Sequence, residues 1–331
     1  LGLRVGIQSG GRALTADRIQ RWKAVGLQAI GISLDGLESV HDQLRGNKGS
    51  FQAALRAIEL VQASGLAGTA NTQINRLNMG QLWEISALLR QRGVRTWQVQ
   101  LTTPMGNAAD HPEWLVQPYE VISILDTLSA IQLQAVQQPL PHEQPFPLRS
   151  FHIQPGNNIG YYGPPEVVLR SRPGDKERYW AGCVAGRSTI GIESDGTIKG
   201  CPSLPTAPYT GGNVRDLPLE RIWEQAPEIA FTRQRDSSEL WGYCQSCYYA
   251  DLCKAGCSFL THTYFGRRGN NPFCYHRASE FKKKGLRERL VRELDKAYRR
   301  LSDTAKISGF RKGKIPRQVL ERHFKRDVEN D

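Results

Sequence analysis

WGYCQSCYYADLCKAGCSFLTHTYFGRRGNNPFCYHR, residues Trp241–Arg277, holds five of the chain's seven cysteines. The other two, Cys183 and Cys201, lie just upstream, and residues 1–182 contain none. Four of the thiols follow the spacing C-x2-C-x5-C-x3-C, which is the pattern of a ligand set and not of scattered core residues. Soft thiolates suit zinc or iron–sulfur centres, and a C-x2-C turn brings two sulfurs to one centre without long-range folding. Disulfides are disfavoured on two counts: the opening LGLRVGIQSGG has no secretory pattern, and an odd number of cysteines leaves one thiol over. Zinc is the serious competitor, yet seven cysteines do not divide into two closed four-thiolate sites. On the residues alone, zinc and iron–sulfur both stand.

Working outward, 331 residues at 39% hydrophobic and 23% charged are enough for a full core and more than one domain. No apolar run approaches the ~20 residues that a membrane span needs, and a reducing, cytoplasmic setting is expected. The net charge of +12 is concentrated at the end of the chain. Between Arg277 and Asp331, 18 Lys and Arg stand against 9 Asp and Glu, leaving only +3 for everything before. Such a tail reads first as a solvated helical face, and otherwise as a docking surface for an acidic peptide. A nucleic-acid partner is not expected, because no basic stretch is interleaved with aromatics.

Residues 1–135 alternate between strand and helix patterns. Leu3–Gln8, Leu27–Ser33, Leu66–Ile74 and Thr96–Leu101 read as strands. Thr15 is placed to cap a helix through Val25, Ser50 to cap a helix ended by Gly65, Asn78 to open a helix through Arg92, and Pro118 to begin another. Repeated β-α units predict a parallel sheet covered by helices, with its active edge at the C-terminal ends of the strands. His41, within HDQLRG, reads as a turn-packing residue. QAVQQPLPHEQPFPLRS, from Gln134, reads as a linker or irregular wall, and Tyr161 and Tyr162 as packing for a loop. Asp195-Gly196 is a strong two-residue hairpin signal between Thr189–Glu193 and Thr197–Lys199, and the hairpin draws Cys183 and Cys201 toward each other. Ser279–Ser302 reads as one amphipathic helix through Leu286, Leu290 and Leu294, and Arg311–Asp331 as a sparse apolar pattern, frayed or disordered. There is no HExxH, no G-x-S-x-G, no P-loop and no G-x-G-x-x-G, so hydrolase and kinase chemistry lack support.

With its fixed spacings, the run Cys183, Gly196, Cys201, Cys244-x2-Cys247-x5-Cys253-x3-Cys257 and Cys274 resembles the seven-cysteine SPASM pattern of radical S-adenosylmethionine (SAM) enzymes. The resemblance implies two auxiliary [4Fe–4S] clusters, the first on Cys183, Cys201 and Cys257 and the second on Cys244, Cys247, Cys253 and Cys274. Residues 184–200 lack the eighth cysteine that closes the first cluster in some members. That implies an open iron or an oxygen ligand such as Glu193 or Asp195. ISLDG at Ile32–Gly36, HDQLRG at His41–Gly46 and PMGNA at Pro104–Ala108 are similar to strand-end segments of radical SAM barrels. By that likeness Ser33 is a candidate SAM contact and Asp35 its neighbour, where the residues alone give a strand-end turn built on Asp-Gly.

The family's C-x3-C-x2-C and GGE-type motifs do not occur. The expectation is a chain without the first two β-α units, unable to cleave SAM alone. The implied organisation is an α/β partial radical SAM barrel over 1–150, a connecting segment over 151–179, a SPASM domain over 180–277 and a basic helical tail over 278–331. The implied activity is reductive SAM cleavage and hydrogen abstraction from a peptide or protein side chain, served by an electron donor such as a flavodoxin or ferredoxin. A non-catalytic iron–sulfur or zinc protein, working in electron transfer or as a scaffold, is the competing reading.

Overall fold

Branched and aromatic residues recur at every second position of four strand segments, and in the computed structural model these become a parallel sheet. The structure describes residues 2–143, 150–171 and 176–290, together with Ala305, Ile307, Ile315, Val319, Leu320 and Phe324. The sheet has the order β1-β2-β3-β4-β5, all parallel: β1 (Val5–Ser9), β2 (Leu27–Ser33), β3 (Ala67–Ile74), β4 (Thr96–Leu101) and β5 (His152–Pro155). Strand order equal to chain order is what successive right-handed β-α units give as they curl toward a barrel. The fifth strand falls within the stretch read from sequence as a connection, because four residues between glycines and prolines carry too little periodicity to declare themselves.

The two faces of the sheet differ chemically. Ile30, Ile32, Ala70, Ile74, Trp97, Val99, Leu101 and Ile153 are buried on one face. Against it pack α1 (Ala16–Ala24), α3 (Ser50–Ser64), α4 (Leu82–Gln91) and α5 (Val121–Gln137). The other face carries amides at alternate positions, with Asn71 level with Gln98, Gln73 with Gln100 and Gln98 with Gln154. Gln8 and Asn71 hydrogen-bond to each other across the intervening strand. Gly31 makes this possible, since a Cβ there would lie 1.9 Å from Gln8 Oε1.

Local signals mostly hold. Thr15 Oγ1 accepts the Arg18 N–H at 3.2 Å and caps α1. Gly65, at φ +73°, ends α3. Ser50, however, is the first residue inside α3 and not its cap: Gly49 takes that position at φ +84°, and the Ser50 hydroxyl donates to Asp42 instead, at 2.8 Å. His41 lies in a helix, α2 (Glu38–Arg45), not in a turn.

Beyond the sheet come α6 (Pro164–Arg170), then a three-stranded antiparallel sheet of β6 (Gly191–Ile192), β7 (Thr197–Lys199) and β8 (Thr210–Asn213). The one-turn α7 (Thr206–Tyr209) precedes β8, and α8 (Leu219–Gln225) and α9 (Pro227–Gln234) pack on it through Ile222 and Ile229. The cysteine-rich stretch forms α10 (Ala250–Cys253), α11 (Ser258–Phe265) and α12 (Tyr275–Lys283). Cys257, Leu260 and Phe273 share a core with the parallel sheet, so the two parts pack as one body.

Helix α12 stops at Lys283, with Gly285 at φ +71°, and residues 286–290 are not helical. This corrects the single helix expected over Ser279–Ser302, whose portion from 291 onward lies outside the described residues. The glycine releases the chain so that Leu290 donates its N–H to Gln117 at 2.9 Å and packs on the main core. Of the sparse pattern after Arg311, Ile315 and Leu320 are buried against Ala305, Ile307, Val319 and Phe324, so these residues are packed and not frayed.

Candidate metal centres

The seven thiols are all free, which removes the disulfide reading. Four of them, Cys244, Cys247, Cys253 and Cys274, line one cavity. Local structure delivers each: Cys244 sits in a 3-10 turn over Gly242–Ser246, Cys247 is the C-cap of that turn, Cys253 ends α10, and Cys274 is the N-cap of α12. Lys254 and Ala255, both at positive φ, turn the chain sharply after Cys253 toward Cys257. The cost of such a conformation outside glycine is borne where the surroundings fix it.

Burial pushes the Cys274 thiol up to about 12, with Cys244 and Cys247 adding to the rise. Cys253 is raised still further by burial and then by Cys274, Cys244 and Cys247. Mutual destabilisation of charge among four sulfurs means that a cation or a metal cluster is the natural counterpart. Among the described residues no three His, Cys, Asp or Glu side chains close on one point, as a single zinc ion held at about 2.3 Å by each sulfur requires. The sulfurs instead surround a space. Donors also point into it: the Asn271 N–H donates to Cys244 Sγ at 3.3 Å, and the buried Asn271 Nδ2 has no partner. These features fit a thiolate-held iron–sulfur cluster, whose sulfurs accept such hydrogen bonds.

Cys257 is buried, and its thiol is pushed up to about 12 by burial and then by Cys183 and Cys201. Cys183 and Cys201 flank the small sheet and pack with Tyr209, Phe231 and Phe259. Cys183 and Cys201 thus share one small core, and Cys257 lies within electrostatic reach of both. The two oxygen donors weighed from sequence are committed elsewhere. Glu193 pairs with Lys199, a buried cation that needs a carboxylate, and Asp195 accepts the Thr197 N–H at 2.9 Å in the hairpin turn. Both carboxylates thus have protein partners in this structure.

Tyr161, read from sequence as loop packing, lies between the two groups. It is buried, at φ +80°, and its backbone N–H donates to Glu166 at 2.9 Å. Its hydroxyl accepts the Cys257 N–H at 3.2 Å, and the Cys274 thiol donates to its carbonyl at 3.7 Å. Tyr162, also at positive φ, stacks on Tyr249 with centroids 4.3 Å apart, and both line the four-cysteine cavity. The flanking Gly160 and Gly163 were the available signal, though glycines mark a turn without saying what the turn touches.

Ser33 and Asp35 stand at the C-terminal end of β2. Ser33 is half-buried, level with Asn71. Asp35 is engaged by protein: its carboxylate pairs with Arg45 and accepts the Gln73 N–H at 2.8 Å, and its own N–H donates to His41 Nδ1 at 3.0 Å. Pro104–Ala108 occupies the loop after β4.

Comparison with known proteins places these observations. The family model described as "Iron-sulfur cluster-binding domain" (SPASM) matches residues 183–248. A second, "Bacterial trigger factor protein (TF)", matches residues 284–331, immediately after α12. An AdoMet-dependent heme synthase of Methanosarcina barkeri (strain Fusaro / DSM 804) is 28% identical over 284 residues, covering 83% of this chain and 75% of that protein. The mycofactocin maturase MftC of Mycobacterium ulcerans (strain Agy99) is 26% identical over 273 residues, covering 77% of this chain and 60% of its own length. In fold, native anSMEcpe with bound AdoMet superposes at a TM-score of 0.60 with 15% identity, over 84% of this chain and 71% of that one. The same enzyme with AdoMet and a Cp18Cys peptide bound gives 0.59 at 14% identity, over 84% and 72%. Cysteine spacing, parallel sheet and relatives agree: residues 183–248 match the SPASM domain, and the chain as a whole is similar to radical SAM enzymes that carry one.

Proposed function

We propose that this chain serves reductive cleavage of SAM and radical modification of a substrate, and that the substrate class is a peptide or protein side chain. The observation that carries the reading is the division of seven thiols into a group of four and a group of three, both joined by Tyr161 to the loop that follows β5. When bound, SAM and its clusters supply a carbon-centred radical and a route for the electron. The chain's own residues do the holding. Cys244, Cys247, Cys253 and Cys274 would bind one auxiliary cluster, and Cys183, Cys201 and Cys257 the other, which lacks a fourth cysteine. Ser33 would contact SAM at the strand-end edge, and Asp35, fixed by Arg45 and Gln73, holds that edge in shape. The amide face of the sheet offers hydrogen bonds to what lies over it. Reduction calls for a small donor such as a flavodoxin or ferredoxin. SAM cleavage also needs a C-x3-C-x2-C, which these 331 residues do not contain, so the reaction is proposed for this chain together with such a segment.

Anaerobic loading with iron and sulfide tests the cluster reading: about eight irons and a broad brown absorbance are expected for two [4Fe–4S] centres. Colourless protein with stoichiometric zinc overturns it. A second substrate class, a heme-type macrocycle, is favoured by the likeness to an AdoMet-dependent heme synthase over 284 residues. Titration with an iron porphyrin separates the two: a shifted Soret band with saturable binding favours the macrocycle, and its absence favours the peptide.

A further inference from the structure

Near the three-thiol group lies a cation with unused donors. The Arg235 side chain is 2% exposed. Its Nη1 donates to Ser258 Oγ at 3.2 Å, one residue beyond Cys257. Its Nε stands 3.5 Å from Glu239, and neither Nε nor Nη2 makes a hydrogen bond. Glu239 is itself shared with Arg268, at 3.3 Å. Burial pulls the guanidinium below its usual range and Arg268 acts in the same sense, while Glu239, Cys183 and Cys253 oppose them. Lys254, also nearby, is used on the Arg235 carbonyl at 2.5 Å.

A buried guanidinium with orphan N–H groups is costly unless an acceptor arrives. The four-thiol group shows the satisfied counterpart. There Arg277 donates to Asn270 at 2.6 Å, to the Asn271 carbonyl at 3.2 Å and to Glu288 at 2.8 Å. No such set surrounds Arg235; its one side-chain hydrogen bond is to Ser258, the neighbour of Cys257, and Cys183 and Cys253 are the thiols whose charge reaches it.

Resting on the cluster reading above, we infer that Arg235 is a positioning residue for the three-thiol centre, donating its unpaired N–H groups to a sulfur of that centre once it is metallated. A fixed positive charge and N–H···S bonds stabilise the more negative, reduced state and so raise the potential, chiefly of the centre that receives the hydrogen bonds.

The test is a redox titration followed by electron paramagnetic resonance on the 331-residue chain loaded anaerobically with iron and sulfide. Arg235→Met keeps the length and the apolar stem, and Arg235→Lys keeps the charge. We expect Arg235→Met to retain the wild-type iron content while one of two signals shifts to lower potential. The shift should be at least tenfold in the reduced-to-oxidised ratio at fixed potential, about 59 mV for a one-electron couple. Arg235→Lys should shift it less, and the moving signal should be the one lost in Cys183→Ala. Unmoved potentials with full iron content overturn the inference, as does a shift in the signal that survives Cys183→Ala. Should Arg235→Met fail to fold, Arg235→Lys decides alone: a threefold or greater change supports the inference, and none overturns it. A wild-type chain that takes up no iron overturns the cluster reading and this inference together, whereas intact wild-type clusters with unmoved potentials overturn only the inference.

Discussion

The hydroxyl of Tyr161 accepts the backbone N–H of Cys257 at 3.2 Å and donates its own O–H to the Asn157 carbonyl. One phenol thus ties the loop after β5 to the ligand-bearing segment. Tyr161→Phe leaves the buried Cys257 N–H short of a partner, and we expect a loss of about 1–3 kcal/mol in urea unfolding of the metal-free chain. Gly256→Ala should cost at least as much, because Gly256 sits at φ +64° and a Cβ there would lie 2.7 Å from the Tyr161 ring. A Tyr161→Phe protein as stable as wild type removes the role given to this contact.

The division of thiols predicts how iron is lost. Cys247→Ala or Cys274→Ala should halve the iron content, from about eight to about four, and so should Cys183→Ala. Cys183→Ala combined with Cys274→Ala should retain almost none. Iron and sulfide analysis reads this directly, and equal loss of all iron in each single variant shows that the groups do not load independently.

His41 should make stability pH-dependent. Burial lowers its pKa from 6.5, and the neutral ring accepts the Asp35 N–H. A depressed folded-state pKa means that the unfolded chain binds the proton first, so stability is full above 6.5 and declines as pH falls toward the folded value. Asn in place of His keeps an acceptor near Nδ1 without the titration. Urea midpoints measured between pH 7.5 and 5 should fall less in His41→Asn than in wild type, and parallel curves exclude the assignment.

Arg90 and Glu143 form a two-point pair, at 3.0 and 2.7 Å, between α4 and the chain after α5. Both side chains are nearly buried, so removing one leaves an uncompensated charge. Glu143→Ala should destabilise by about 3–5 kcal/mol. Thermal unfolding checks this, and a replacement of both residues by Leu and Met should recover much of the loss.

Much of this architecture was legible because it rests on short-range rules. Leu27–Ser33 is a short apolar run and Thr96–Leu101 alternates cleanly, and their observed bounds are the expected ones. The cysteine spacing spoke for itself, since ligand geometry constrains sequence more tightly than packing does. What escaped notice depends on distant partners. β5 is four residues long and is a strand because β4 offers it an edge. Asp42 claims the first turn of α3 through the Gly49 and Phe51 N–H groups, which local rules assign to Ser50. Tyr161 looks like any loop tyrosine until Cys257, 96 residues away, is brought to it. The tail showed only charge and period, and neither reveals that residues 284–331 match a different family from the rest.

The row of glutamines and asparagines on the open side of the sheet has a consequence for recognition. Carboxamides carry no proton to gain or lose near neutrality and no net charge for salt to mask. A molecule resting on Asn71, Gln98 and Gln154 is therefore read by its outline and by the directions of its donors and acceptors. Its grip at that wall should be indifferent to ionic strength, and any ionic group it bears has to find its counterpart elsewhere in the enzyme.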